Sequence, residues 1–269
     1  MLSWLRSKTT HRRQLRGGGR KRSGRLRRHP FYERHLPAAA DRLAAIDKRI
    51  LISDENQFIY VRVPKCANST IVLMLGLEEL GIDGAQWADM PPIEQRHFFA
   101  DTLKKRTFSR PSKLATADTV ASYRRIMFVR NPYSRLASAY LDKVASGKYE
   151  KQVGLPADIG FGGFCQYLRS GGLYRNIHWL PQTAITPFPI DSFDFIGRFE
   201  RLDDDLTRLT RMLHGRDQPT ISLASHATHA GEHLHELYGE AEVRIVRELY
   251  AEDFAQLDYD AEIPPGPPR

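Results

Sequence analysis

Cysteine is close to missing from this sequence. Cys66 and Cys165 are the two it has in 269 residues, too few for a disulfide framework, and the expectation is a reducing compartment or no dependence on oxidation. Long apolar runs are missing too. A helix that crosses a bilayer needs about 20 apolar residues, and the longest candidate, Ile71–Leu77, suits the buried face of a helix instead. There is no internal repeat. Acidic residues are scarce at one end only: residues 1–35 hold 12 Lys and Arg against the single Glu33, a charge of +11. Because the whole chain carries +8, residues 36–269 carry −3, and the basic character belongs to the N-terminal tail. That tail contains Gly17, Gly18 and Gly19 and few large apolar side chains, so residues 1–35 are expected to be disordered alone. Anionic lipid, nucleic-acid phosphates or an acidic glycan would attract it. A solvated leader is the simpler reading, and the lack of an amphipathic pattern argues against a transit peptide.

What is present is an alternation of strand and helix patterns. At 41% hydrophobic residues the chain has enough for a core. Residues 36–50 read as a short helix, with Leu43, Ile46 and Ile50 at helical spacing. Residues 57–80 read as strand, loop and helix closed by Gly81; residues 82–122, with Pro91-Pro92 and a polar helix near 93–105, read as an insertion. A second strand–helix unit covers 126–146. Residues 147–192, rich in glycine, proline and aromatics, are expected to be loops that line a ligand site. A third strand near 194–199 leads into a helix with Leu202, Leu206, Leu209 and Leu213 on one face and Gly215 behind it. A last helix covers about 239–255, and 261–269 is a proline-rich, disordered end. The alternation predicts an α/β domain over 36–260, a central parallel sheet with helices on both faces.

Two of the strand ends carry chemistry. After Phe58–Val63 come Pro64, Lys65, Cys66, Ala67, Asn68, Ser69 and Thr70, then an apolar helix pattern. A helix N-terminus offers unpaired N–H groups and partial positive charge, and Lys65 adds a full charge, so this loop suits phosphate or sulfate. It has no glycine, which excludes the Walker loop G-x-x-x-x-G-K-[ST]. Position 72 is Val, which excludes a phosphatase loop in which Cys66 would need an arginine six residues on. The plainer reading is a strand-to-helix turn with Asn68 or Ser69 as N-cap. The second strand, Arg125–Val129, ends in Arg130, Asn131 and Pro132. Asn131 suits an N-cap and Pro132 a first helical residue. Arg130 stands at the carboxyl end of a strand, where open α/β sheets bind ligands, and Ser134 and Ser138 share the next helix face. A solvated arginine and two surface serines are the plainer reading.

Together these segments resemble the sulfotransferases that use 3′-phosphoadenosine-5′-phosphosulfate (PAPS). In that superfamily a lysine in a strand–loop–helix binds the 5′-phosphosulfate, and a later strand followed by R-x₇-S binds the 3′-phosphate. Lys65 fits the first and Arg130 with Ser138 the second. Residues 128–143, F-V-R-N-P-Y-S-R-L-A-S-A-Y-L-D-K, resemble the carbohydrate sulfotransferase branch with the chondroitin 4-, dermatan 4- and HNK-1-type enzymes. So do H-W-L-P-Q at 178–182, D-F-I-G-R-F-E at 194–200 with Asp205 and Leu206, and Tyr250, Asp253, Phe254 and Tyr259 near the end. Five blocks in order cover about residues 57–260. The first block departs from the branch, with C-A-N-S-T where many relatives have V-x-S-T-N-W-K. The cysteines and membrane anchor of the eukaryotic relatives have no counterpart here.

The resemblance implies a P-loop-NTPase-like three-layer α/β/α fold and transfer of the sulfuryl group from PAPS to a hydroxyl of a glycan or glycolipid. Lys65 would contact the phosphosulfate and stabilise the leaving oxygen, with Cys66, Ala67, Asn68, Ser69 and Thr70 forming the rest of the cradle. Arg130 and Ser138 would hold the 3′-phosphate. His97 and His178 are equal candidates for the general base, and Glu94 is a third. Trp179 is a candidate to stack on a sugar face, although core packing is the commoner fate of Trp. Sulfuryl transfer needs no metal ion, and the cluster His226, His229, His233 and His235 lacks an H-E-x-x-H pattern. A soluble, bacterial-like enzyme follows, in the cytoplasm or at the inner membrane surface through its tail, with no specific nucleic-acid partner. The competing readings are a nucleotide-dependent phosphoryl transferase on the same fold and a nucleic-acid or membrane-surface binding protein acting through the tail. Missing Walker glycines weigh against the former.

Overall fold

Two short apolar runs, Ile50–Ser53 (β1) and Phe58–Val61 (β2), are buried at every position and pair antiparallel, with Ile50 opposite Val61 and Ser53 opposite Phe58. In this computed structural model, which describes residues 22–98, 107–147, 154–215 and 233–265, they form one side of a four-stranded sheet of order β1-β2-β3-β4. Strands β3 (Arg124–Val129) and β4 (Phe195–Arg198) run parallel to β2, placing Val61 beside Met127 and Val129 beside Arg198. Near-continuous apolar strands of this kind are what a sheet covered on both faces requires. The fold is the α/β class expected, with one correction: β1 makes the sheet mixed. Residues 36–50 are not one helix either. Helix α2 is confined to Leu43–Asp47, and Ile50 already belongs to β1. Ile50 satisfies its backbone across the sheet, a non-local pairing that helical spacing of Leu43, Ile46 and Ile50 could not reveal. The free side of β1 is closed by Ser109, which exchanges two backbone hydrogen bonds with Ile52, so no long edge is left bare.

Helix α3 (Asn68–Glu79) follows β2, and helix α4 (Pro132–Tyr140) follows β3. The sheet, α3 and helix α6 (Leu202–His214) share one apolar cluster with Leu73, Leu75, Phe128, Leu206 and Leu209. A second cluster joins α4 to helices α5 (Gly160–Tyr167), α7 (Glu240–Leu249) and α8 (Ala251–Gln256) through Tyr140, Phe164, Trp179, Ile245 and Tyr250. The expected last helix is therefore two, broken at Tyr250 (φ −115°, ψ 22°). Residues 154–192 hold more helix than the loop-rich expectation allowed, including α5 and the short helix Gln182–Ile185.

The basic tail is the largest revision. Residues 22–35 pack on the body: α1 (Pro30–Arg34) buries Phe31 and Tyr32 completely. The Tyr32 hydroxyl donates to Asp47 at 3.1 Å, and Phe31 meets the Phe188 ring edge-on at 5.8 Å. Residues 1–21 lie outside the described residues, as do 266–269. At the other end, Ala261 accepts hydrogen bonds from the Tyr133 hydroxyl and Arg247 Nε, at 2.7 and 3.1 Å, so the terminal segment is tied down at its start.

Candidate functional site

The chain leaves β2 through Val63 and Pro64 and reverses into α3 by placing two non-glycine residues in left-handed conformation, Lys65 at φ 73° and Ala67 at φ 50°. Each such residue costs on the order of 1 kcal/mol and persists only where its surroundings fix it. Here they do. Arg135 Nε donates to the Pro64 carbonyl at 3.0 Å, and Arg130 Nη1 donates to the Lys65 carbonyl at 3.3 Å. The Tyr60 hydroxyl donates to Asn68 Oδ1 at 2.9 Å, and the Asn68 amide donates to the Val63 carbonyl. Asn68 thus ties the loop to β2 instead of capping α3, and the cap position is Ala67, which has no side-chain acceptor. By helix geometry the first N–H groups of α3, those of Asn68, Ser69 and Thr70, have no acceptor one turn back, and with no side-chain cap at Ala67 such an end suits an anion.

Arg130 arrives from the next strand. The residue is 6% exposed, and its guanidinium donates from Nε to Ser134 Oγ at 3.0 Å and stacks on the Phe199 ring at 3.9 Å. Asn131 caps α4 by accepting from Tyr133 N at 3.0 Å, and Pro132 opens the helix, as the sequence predicts. Ser134 and Ser138 lie on α4, Ser138 only 2% exposed. The main chain of Arg130 is clamped by Gln182, whose amide accepts from Arg130 N at 3.0 Å and donates to Arg130 O at 2.8 Å. Gln182 N in turn donates to buried Asp253 at 2.8 Å. Glu200 holds Asn131 N at 2.7 Å and the Tyr259 hydroxyl at 2.9 Å. The two loops are therefore one rigid unit.

Lys65 points its ammonium at Asp142 Oδ2, 3.0 Å away, on the turn that follows α4; Lys143 approaches the same oxygen at 3.1 Å. Burial lowers the Lys65 pKa, against the pull of Asp142. For Asp142, burial alone would raise the carboxyl, but the hydrogen bonds and charges of Lys65 and Lys143 outweigh it and hold it below its ordinary value. The Cys66 thiol is pushed up to about 12 by burial, so it is no nucleophile at neutral pH.

His178 faces this cluster. Asn176 Oδ1 accepts from both His178 N (3.0 Å) and Nδ1 (2.8 Å), which places the neutral ring's proton on Nδ1 and leaves a lone pair on Nε2 toward Arg49 at 3.5 Å. Burial, then the charges of Arg49, Lys143 and Lys65, push its pKa down to about 3. Of the other two base candidates, His97 and Glu94 are exposed on the helix Pro92–His97, and no hydrogen bond or ion pair ties either to the Lys65 loop among the described residues. Trp179 is 1% exposed, donates Nε1–H to Gly172 O at 3.0 Å and packs edge-on against Phe164, so it is a core residue and not a sugar platform. His233 pairs with Glu236 at 2.7 Å, His226 and His229 lie outside the described residues, and no group of three metal-ligating side chains occurs among the described residues.

Several residues that build the site were not singled out from sequence: Arg135, Gln182, Glu200 and Asp253 lie inside the recognised blocks, and their role is buried wiring. Arg49 and Arg62 lie in no functional pattern at all. No helix among the described residues is long and apolar enough to cross a membrane.

Comparison with known proteins gives a consistent result. The model described as the sulfotransferase family matches residues 48–260. Carbohydrate sulfotransferase 14 of Danio rerio is 28% identical over 211 residues, 64% of this chain and 52% of that protein. Carbohydrate sulfotransferase 8 of Mus musculus is 27% identical over 191 residues, 62% of this chain and 43% of that protein. Carbohydrate sulfotransferase 11 of Rattus norvegicus is 23% identical over 244 residues, 79% and 67% of the two chains. The chain spans about half the length of the first two relatives. No solved structure gives a significant match.

Proposed function

This chain belongs to the sulfotransferase family, and from that premise we propose that it transfers the sulfuryl group of PAPS to a hydroxyl of a glycan or glycolipid. The observation that carries the reading is the junction of the two anion-binding elements: Arg130 Nη1 reaches the Lys65 carbonyl at 3.3 Å, so one rigid unit presents Lys65, the open end of α3 and the Arg130–Ser134–Ser138 face. A donor with phosphates at both ends of a ribose needs two cationic sites held at fixed separation.

In this reading Lys65 exchanges Asp142 for the phosphosulfate and neutralises charge on the bridging oxygen as the S–O bond breaks. The N–H groups of Asn68, Ser69 and Thr70, with the Ser69 and Thr70 hydroxyls, hold the 5′-phosphate, and Arg130 with Ser138 holds the 3′-phosphate. The acceptor oxygen attacks sulfur in line, and His178 Nε2 takes its proton. A pKa of about 3 makes His178 a weak base in the free protein. Its cationic neighbours cause part of that depression, and a bound polyanion offsets them, which moves His178 toward the range a general base needs. Among the described residues no contact with these cations supports His97 or Glu94 in the same way.

The test is calorimetric titration with 3′-phosphoadenosine-5′-phosphate (PAP). Wild type binds it and Arg130→Ala does not, while deletion of residues 1–21 leaves binding unchanged. A folded wild type that ignores PAP refutes the reading. Loss of all ligand binding with the tail favours a surface-binding protein instead.

A further inference from the structure

Asp142 and Lys143 are neighbours on the wide, π-type turn Leu141–Ala145 that continues α4. Adjacent side chains on a helix point apart. Lys143 Nζ nevertheless folds back to Asp142 Oδ2, at 3.1 Å, the same oxygen that Lys65 Nζ meets at 3.0 Å. The Lys143 side chain is 14% exposed and that of Lys65 15%. A lysine stem is long enough to carry its ammonium into water, yet this one is turned inward, toward a second ammonium. One carboxylate neutralises only one of the two charges, so the cluster keeps a net positive charge. Desolvated like charges are costly to hold together unless an anion joins them.

That anion takes the place of one carboxylate oxygen at the tip of Lys65. In the sulfuryl-transfer reading the 5′-phosphate belongs to the N–H groups at the start of α3, and the 3′-phosphate to Arg130 and Ser138. The terminal sulfonate then falls at the Lys65 ammonium, where Asp142 and Lys143 meet it. Lys143 also lies toward the base: after burial and Arg49, it acts on His178 more strongly than Lys65 does. We propose that Lys143 is a second ligand of the transferable sulfonate, and that Asp142 stands in for the sulfonate when none is bound. The incoming sulfonate oxygens displace the carboxylate from both ammoniums. The S–O bond to the nucleotide breaks as the acceptor oxygen bonds to sulfur and its proton passes to His178. The electron pair of the broken bond stays on the 5′-phosphate, and the sulfate ester leaves with the acceptor. Asp142 then returns to Lys143, so the pair tells loaded donor from spent nucleotide. This inference rests on the sulfuryl-transfer reading.

The experiment is calorimetric titration of the full chain with PAPS and with PAP, without acceptor, for wild type, Lys143→Gln and Asp142→Asn. The two variants are expected to act in opposite directions. Lys143→Gln weakens PAPS binding roughly tenfold or more, the effect of one charge-assisted hydrogen bond, and PAP binding by about twofold at most. Asp142→Asn tightens PAPS binding, because a competing carboxylate is gone. The proposal is overturned if Lys143→Gln weakens both nucleotides alike, or if both variants weaken PAPS, which would make the pair a structural clasp. Wild type supplies a second readout that needs no folded variant: labelling with acetic anhydride, followed by mass spectrometry of the lysine peptides. PAPS slows labelling of Lys65 and Lys143, whereas PAP slows that of Lys65 alone. Equal protection of Lys143 by the two nucleotides overturns the proposal. A wild type that binds neither nucleotide refutes the sulfuryl-transfer reading and this inference with it. A wild type that binds both, while Lys143→Gln changes neither, refutes this inference alone.

Discussion

Lys65 is paired with Asp142 at 3.0 Å, in a backbone conformation (φ 73°) that lysine seldom adopts. On the proposed reading the ammonium is thus held in place before the phosphosulfate binds, which would remove part of the ordering cost at that moment. Removing it should cost a charged contact to the transition state, about 2–4 kcal/mol, so Lys65→Ala is expected to lower turnover roughly 100-fold or more with the thermal transition little changed. A steady-state assay with PAPS reads this directly, and unchanged turnover would remove Lys65 from the chemistry. His178 gives a pH prediction. Its folded pKa, about 3, lies below the ordinary histidine value because of burial and neighbouring cations. Between about pH 6.5 and 3 the unfolded chain takes up a proton that the folded one refuses, so stability falls as pH falls through that window. Urea unfolding at pH 7, 5 and 4 should show the loss in wild type and a smaller one in His178→Asn.

At the scale of elements, β3 and β4 approach so closely that only glycine fits at position 197. A Cβ there would overlap the Phe128 ring, and both strands are too well paired to part (Phe128 opposite Gly197). Gly197→Ala is therefore expected to destabilise by about 1–3 kcal/mol through overpacking, measured as a lower urea midpoint with an unchanged slope; no change would mean the strands separate freely. Elements whose signals are local were legible in sequence. Asn131-Pro132 announces a capped helix start, Gly81 and Gly215 follow helices and take positive φ, and the strand ahead of Lys65 is a plain apolar run. What depended on distant partners was not legible. Ile50 looked helical until its pairing with Val61 made it a strand. His97 and His178 were equivalent in sequence because neither carries a mark of what surrounds it; only folding brings Arg49, Lys65 and Asp142 to one of them. Arg49 and Arg62 are 13 positions apart in the chain, and nothing short of the β1–β2 register makes them neighbours.

At the scale of the whole molecule, the body already includes the end of the basic segment, where Phe31 and Tyr32 are buried. Charge counting over residues 1–35 hid Phe31 and Tyr32, two side chains that bury completely and brace α2 and the 108–113 segment through Asp47, which accepts from Tyr32, Ser112 N and Ser112 Oγ. Removing residues 1–21 should leave the melting temperature within a few degrees, whereas removing 1–35 strips a Phe and a Tyr from the core. Phe31→Ala alone should cost about 3 kcal/mol or more. Scanning calorimetry of the two truncations separates these outcomes, and equal melting temperatures would put the boundary back at residue 36.

The two thiols have a use that their inertness creates. Cys66 sits in the cluster under the sheet and Cys165 in the cluster among the helices, each fully enclosed and each raised to about 12 by burial. A maleimide in solution can modify either only after its own surroundings open, so the alkylation rate of each peptide is a clock for one half of the molecule. Equal rates in mild denaturant would mean that the halves open as one. Faster labelling of Cys165 would mean that the helical half loosens while the half holding Lys65 stays shut, and the chain would have reported the order of its own unfolding without any added probe.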